Sequence, residues 1–103
     1  MNAKIETPYS DESERAVLGM CMYGYDDLNY LEAASIVTAQ DFFMLRHATI
    51  WQAIEDVYQQ HRQIDSNLVA LRLEAIKQLD NVGGRSYLLQ IVKIGRASCR
   101  ERV

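Results

Sequence analysis

Cysteine, proline and glycine are scarce in this chain of 103 residues, which holds two, one and five of them. Cys21 and Cys99 form no Cys-x-x-Cys pair and have no Cys/His quartet nearby, so we expect neither a disulfide framework nor a structural zinc site. The low proline and glycine content argues against all-β folds with many turns, whereas the abundant Ala, Leu, Gln, Glu and Arg favour helices. The length leaves room for one small all-α domain.

Long apolar runs and catalytic motifs are also missing from the sequence. No stretch approaches the roughly 18 apolar residues that span a bilayer, and the N-terminus lacks the apolar core of a signal peptide, so we expect a cytoplasmic protein. The chain contains no phosphate loop, no Gly-x-Gly-x-x-Gly, no Gly-x-Ser-x-Gly and no His-Glu-x-x-His. The sequence therefore carries none of these site motifs, and we predict no catalytic, cofactor-binding or metal-ligating residue.

The formal net charge of −3 is unevenly distributed along the chain. Residues 94–103 hold three arginines and one glutamate, a net charge of +2, whereas the preceding 93 residues hold eight basic and thirteen acidic residues, a net charge of −5. An acidic surface repels phosphate backbones, so we expect no direct contact between the folded part and nucleic acid.

The last ten residues, Ile-Gly-Arg-Ala-Ser-Cys-Arg-Glu-Arg-Val, show no apolar periodicity. They match the translation of a common short-read sequencing adapter, which indicates a reading frame that ran off the end of an assembled fragment. Residues 93–103 would then be a non-native tail on the N-terminal piece of a longer protein. A genuine basic tail is the alternative. We expect residues 94–103 to pack on nothing, and either to be disordered or only to extend the last helix.

The first predicted helix begins after Pro8, which keeps the preceding residues extended, with Ser10 as its N-cap. Acidic residues in its first turns suit the positive end of the helix dipole, and Gly24 ends it. Gly19 lies inside this helix, where we expect it to allow the close approach of another element. Its predicted apolar stripe consists of Ala16, Val17, Met20 and Cys21.

Apolar spacing and capping residues predict four more helices. Asp26 or Asp27 caps a short second helix, and a capping-box turn, Thr38 to Asp41, precedes the third helix, which spans about Leu45 to His61. Asp65 caps a fourth helix, and a fifth spans about residues 85–92. The predicted apolar face of the second helix is Leu28, Leu31, Ala34 and Ile36, and that of the third is Ile50, Trp51, Ile54, Val57 and Tyr58. The predicted face of the fourth helix is Leu68, Val69, Leu71, Ala75 and Ile76. The predicted face of the fifth helix is Tyr87, Leu88, Ile91 and Val92. The predicted core cluster is Val17, Leu18, Phe42, Trp51, Ile54, Leu68, Leu71 and Leu88.

Four sets of residues allow both a structural and a functional interpretation. Gly83-Gly84 is favoured as a turn between helices over an anion cradle, because no strand precedes it and no lysine follows. Glu12 and Glu14 point to different faces of a helix, which favours a solvated first turn over acid/base catalysis. His47 is favoured as a hydrogen-bonded structural histidine over a base or a metal ligand. Tyr23, Tyr25 and Tyr30 cluster around Gly24, and packing is favoured there over a partner-contact surface.

Several short motifs follow one another along the chain: Pro8-Tyr-Ser-Asp-Glu-Ser-Glu-Arg-Ala-Val-Leu-Gly19, Asp41-Phe-Phe43 with His47 and Ile50, Ile64-Asp65, and Gly83-Gly84 with Tyr87-Leu88. Their order and spacing together resemble the N-terminal domain of DnaB-type replicative DNA helicases. The resemblance covers residues 8–92, which would form the helical domain after a flexible segment of residues 1–7. Residues matched to the family pattern, with structural roles implied, are Glu12, Glu14, Leu18, Gly19, Asp41, Phe42, His47, Ile50, Asp65, Gly83, Gly84, Tyr87 and Leu88.

This resemblance implies a small orthogonal bundle of about five helices that is truncated before a helical hairpin and an ATPase domain. The parent would be a homo-hexameric, ATP-dependent helicase that acts in DNA replication and primosome assembly. Its missing domain would bind ATP and Mg, whereas this domain would support ring assembly and dock a primase or helicase loader. We expect no catalytic activity, nucleic-acid contact or membrane contact for this part. A stand-alone helical adaptor, such as a primase-type helicase-binding domain or a loader, is the alternative.

Overall fold

The computed structural model describes residues 11–23 and 28–102 and shows an all-α fold, as the composition predicts. Six α-helices and one 3₁₀ turn cover most of these residues, and no strand occurs among them. The helices are α1 Asp11–Met22, α2 Leu28–Ala34, α3 Leu45–His61, α4 Ser66–Ala75, α5 Leu79–Val82 and α6 Gly84–Arg102, and the 3₁₀ turn is Ala39–Asp41. The prediction of about five helices missed α5, which is a single turn.

Helix boundaries follow from capping residues along the chain. The predicted capping box forms where the Thr38 N–H donates to Asp41 Oδ2 at 2.8 Å, and α3 has the predicted bounds. Gly83 and Gly84 have φ of 114° and 77°, so they form the turn between α5 and α6 in a backbone conformation that few other residues adopt. The predicted Ser10 cap, the extended segment around Pro8, the Gly24 end and the Asp26 or Asp27 cap lie outside the described residues.

The core surrounds Trp51, which is fully buried on α3. Its indole ring lies 5.6 Å from the rings of both Tyr30 and Phe42, and its Nε1–H donates to Glu55 Oε2 at 3.0 Å. Leu18 of α1 and Leu88 of α6 belong to the same buried cluster. The predicted core positions of Trp51, Leu18 and Leu88 are therefore confirmed.

Three predicted helix faces are wrong in detail. The buried face of α1 consists of Glu14, Leu18, Gly19, Cys21 and Met22, so that Ala16, Val17 and Met20 are only half-buried. On α2 the buried side chain is Tyr30, whereas Leu31 and Ile36 are exposed. On α4 the buried residues are Val69, Ala70 and Leu73, and Leu71 is 47% exposed, so Leu71 does not belong to the core cluster. Short amphipathic helices with apolar residues on more than one side allow several stripes, and tertiary packing selects one of them.

The crossing of α1 and α6 depends on the close approach of two glycines. A Cβ atom at Gly19 would overlap the carbonyl oxygen of Ile91, and one at Gly95 would overlap the backbone of Gly19. Close approach at Gly19 was predicted and is confirmed. The prediction that residues 94–103 pack on nothing is wrong at Gly95, which is buried against α1. The same residues do extend the last helix, as expected, because α6 continues to Arg102.

No helix in the described part of the chain is long and apolar enough to cross a bilayer.

Candidate functional site

A buried polar network joins α1, α3 and α6 through Glu14, His47 and Tyr87. Glu14 Oε1 lies 2.8 Å from His47 Nδ1, and His47 Nε2 lies 2.6 Å from the Tyr87 hydroxyl. His47 is 0% and Glu14 2% exposed. Glu14 and His47 are 33 positions apart in the sequence, and His47 and Tyr87 are 40 positions apart. The network therefore connects distant parts of the chain.

Glu14 also holds the backbone that leads into α3. Its carboxylate accepts hydrogen bonds from the N–H groups of Phe43 at 2.5 Å and Met44 at 3.3 Å. Met44 is the N-cap of α3 and forms no side-chain capping bond of its own. Glu14 therefore satisfies donors at the start of α3, where the helix dipole also favours a negative charge.

The protons of the network follow from which groups can donate. An ionised carboxylate only accepts, so His47 Nδ1 carries the hydrogen that is directed at Glu14. Nε2 lies within hydrogen-bond distance of the Tyr87 hydroxyl, which can both donate and accept. Burial raises the pKa of Tyr87, an effect that Arg46 opposes from 4.5 Å above the ring, so the phenol keeps its proton at neutral pH. Asp11 Oδ1 lies 3.6 Å from Nε2, too far for a hydrogen bond.

This arrangement explains the burial of His47 and corrects the prediction for Glu14. Both ring nitrogens of His47 have partners within the protein, so the residue is placed to hold three helices together. The prediction of a solvated first turn is right for the exposed Glu12 and wrong for Glu14. A signal for Glu14 was present in the sequence, because Glu14, Leu18, Cys21 and Met22 follow the spacing of one helix face.

The other residues that match the family pattern lie in the core or at helix ends. Leu18, Ile50 and Leu88 are buried, and Phe42 packs against the same cluster. The helix-end residues are Asp41 in the capping box, Asp65 as N-cap of α4, and Gly83 and Gly84 between α5 and α6. Asp65 forms no side-chain capping bond.

Of the three tyrosines around Gly24, the structure describes Tyr23 and Tyr30. Tyr30 is buried, with ring centroids 5.6 Å from Trp51 and 4.8 Å from Tyr58, so it packs in the core, as the favoured interpretation has it. Burial and the nearby Glu55 raise the pKa of Tyr30. Tyr23 is half-buried at the end of α1, and Tyr25 lies outside the described residues.

An apolar groove lies between α1 and α2, and the sequence analysis did not predict it. This α1–α2 groove has a volume of about 380 Å³ and is lined by Val17, Met20, Asn29, Glu32, Ala33, Ile36 and Val37. Asn29 Nδ2 donates to the Met20 carbonyl at 3.1 Å and so fixes the two helices relative to each other. A smaller cleft of about 100 Å³ continues from the groove, since Val17 and Val37 line both.

Exposed apolar side chains are concentrated in the same part of the chain. Seven large apolar residues are markedly exposed in the described chain, and four of them fall between residues 28 and 45. These four are Leu31, Ile36, Phe43 and Leu45, with exposures of 44, 76, 74 and 82%. Ile36 also lines the α1–α2 groove, and an exposed apolar side chain beside an apolar groove is typical of a protein-interaction surface.

Residues 11–23 and 28–102 show no candidate metal site. No group of three or more His, Cys, Asp or Glu side chains among them is arranged to hold a metal ion. Cys21 is buried and forms no disulfide, and burial raises its pKa to about 12. The side chain of Cys99 lies outside the described residues.

Comparison with known proteins gives consistent matches over most of the chain. The family model for the DnaB-like helicase N terminal domain matches residues 6–98. Replicative DNA helicase DnaB of Geobacillus stearothermophilus is 33% identical over 84 residues, which are 82% of this chain and 18% of that protein. The corresponding helicase of Treponema pallidum (strain Nichols) is 30% identical over 84 residues, 82% of this chain and 19% of that protein.

The fold also matches a solved structure, the crystal structure of the N-terminal domain of DnaB helicase from Mycobacterium tuberculosis. The TM-score is 0.76 at 25% sequence identity, and the match covers 84% of this chain and 59% of that one. The region shared with the two helicases above is less than a fifth of their length.

Proposed function

The chain belongs to the DnaB-like helicase N-terminal domain family, and we propose that it is the assembly and partner-docking domain of a replicative DNA helicase. The observation that carries the proposal is the family match over residues 6–98. The relatives named as replicative helicases extend well beyond the shared region. The parent would therefore carry its ATP and Mg sites and its DNA-translocating machinery outside this chain, and assemble as a homo-hexamer.

The charge of the domain supports a role in protein contact rather than DNA contact. Residues 1–93 carry a net charge of −5, and nonspecific DNA binding depends on basic residues that neutralise phosphates. The exposed apolar residues between positions 28 and 45 give the domain a surface that is suited to proteins. A primase or a helicase loader is the partner expected for such a docking domain.

The buried network supports a rigid scaffold for that surface. Phe43 and Met44 donate to Glu14, so the segment that carries the exposed Phe43 and Leu45 is fixed to α1. A preorganised surface loses less conformational entropy when it binds.

The first test is to sequence the gene beyond the codons for this chain and to read the frame onward. A linker followed by a phosphate-loop Lys-Ser or Lys-Thr motif is the expected result. An in-frame stop without such a motif would favour the stand-alone adaptor.

The second test compares the full-length parent with a version that lacks residues 8–92. We expect the deleted protein to retain DNA-stimulated ATP hydrolysis and to lose stimulation of unwinding by primase or loader. Equal stimulation of both proteins would contradict the docking role. Loss of ATP hydrolysis after the deletion would show that the domain mainly holds the ring together.

A further inference from the structure

The segment of the chain that forms the α1–α2 groove combines exposed apolar side chains with negative charge. Residues 11–45 hold seven acidic residues and one basic residue, a net charge of −6. Residues 46–93 hold five acidic and six basic residues, a net charge of +1. The acidity of the domain is therefore concentrated in the part of the chain that forms the groove.

The residues that line the groove and the cleft carry charge of one sign only. Among the described residues, Glu32 lines the groove, the exposed Asp41 and the buried Glu14 line the cleft, and no lysine or arginine lines either. Arg15, the only basic residue between positions 11 and 45, pairs with Asp11 at 3.2 Å. A ligand in the groove would thus meet an apolar floor with acidic groups beside it.

The negative charge of this segment favours some classes of ligand for the groove over others. DNA and anionic membranes carry the same sign of charge as the groove and would be repelled. A second copy docked through the same face would oppose two acidic surfaces, which is unfavourable for a symmetric contact. A basic protein segment has the complementary charge, and an amphipathic helix laid in a groove is a common way to recognise such a surface.

We propose that the α1–α2 groove binds an amphipathic helix of a partner protein, with bulky apolar side chains along one face and Lys or Arg on its flanks. The proposal rests on the docking function above and assigns that function a place and a partner chemistry. The apolar face packs on Val17, Met20, Ile36 and Val37, and the basic flanks lie near Glu32 and the cleft.

The test measures binding of designed peptides to the full 103-residue chain by titration calorimetry and by amide chemical shifts. The probe is a helical peptide of about 16 residues with Leu on one face and Lys on the other positions. A second peptide replaces every Lys with Glu, and a third scrambles the order of the first. We expect binding of the first peptide alone, weakened by salt, with shifts centred on the amides of Val17, Ile36 and Val37.

Two pairs of exposed substitutions separate the groove from the rest of the surface. Ile36→Asn should weaken binding about tenfold, whereas Leu89→Asn on α6 should change it less than about twofold. Glu32→Lys should likewise weaken binding, and Glu74→Lys on α4 should not. Ile36 and Leu89 are both more than half exposed, so neither variant removes a buried core residue.

Three results would overturn the proposal. One is equal loss of affinity with Ile36→Asn and Leu89→Asn, and another is tight binding of the Glu peptide. The third is self-association of the chain that Ile36→Asn abolishes, because a second copy would then occupy the groove. If instead the full-length parent with Ile36→Asn responds normally to its primase or loader, the groove assignment fails while the docking function stands.

Discussion

Glu14 Oε1 lies 2.8 Å from His47 Nδ1, and both side chains are buried. The same carboxylate accepts from Phe43 and Met44, so one buried charge connects α1 to the start of α3. A buried carboxylate with three donors is well compensated, whereas removal of the carboxylate leaves several donors without a partner.

Glu14→Ala should lower the free energy of unfolding by about 3 kcal/mol or more, because buried N–H groups lose their acceptor. Urea unfolding monitored by circular dichroism measures the change. Glu12→Ala, at an exposed position in the same turn, should change stability by less than about 0.5 kcal/mol. Equal effects of the two substitutions would remove Glu14 from its buried position.

Leu73→Ala and Leu71→Ala form a matched pair on α4. Leu73 is 0% and Leu71 47% exposed, so the first should lose about 2–5 kcal/mol of stability and the second about 1 kcal/mol or less. Thermal or urea unfolding of both variants decides which face of α4 is buried. A larger loss of stability for Leu71→Ala would show that the face predicted from the sequence is the buried one, and would contradict the structure.

Much of the fold follows from the sequence, because capping residues and helix-length apolar periodicity act locally. The bounds of α3, the Thr38–Asp41 turn and the Gly83-Gly84 turn are predictable on that basis. The Glu14 network was not predicted, since its members lie 33 and 40 residues apart and local periodicity carries no information on such pairs. The choice between Leu71 and Leu73 and the α1–α2 groove likewise depend on tertiary packing.

Because Cys21 is buried, we expect the free energy of unfolding to fall as the pH rises into the alkaline range. Burial raises its pKa from about 9 to about 12, so between these values the unfolded thiol loses its proton and the folded thiol keeps it. The contribution is fully present below pH 9 and is lost as pH rises toward 12, with a slope of up to about 1.4 kcal/mol per pH unit. The raised pKa values of Tyr30 and Tyr87 add to the same trend.

Urea unfolding at a series of pH values measures this slope. Cys21→Ala should make the decline above pH 9 shallower, and thiol labelling of Cys21 in the folded chain should be slow until denaturant is added. An unchanged slope in the variant, together with rapid labelling of the folded chain, would place Cys21 at the surface.

Lys77→Gly should raise the free energy of unfolding by about 0.5–1 kcal/mol. Lys77 has φ of 61° after the end of α4, where the Gln78 N–H donates to the Leu73 carbonyl in the arrangement that usually carries glycine. Lys77→Ala keeps the left-handed strain and serves as the control, with little change expected. Destabilisation by the glycine variant would contradict this backbone conformation.

The docking function is tested most directly by adding this chain in trans to the full-length parent helicase and its primase or loader. If the domain is the docking module, excess chain competes for the partner, and stimulated unwinding falls toward the unstimulated rate while DNA-stimulated ATP hydrolysis stays unchanged. The Glu14→Ala chain, in which the start of α3 loses its hydrogen bonds to α1, serves as the control and should compete less well. Stimulation that is unaffected by saturating wild-type chain would contradict the docking function.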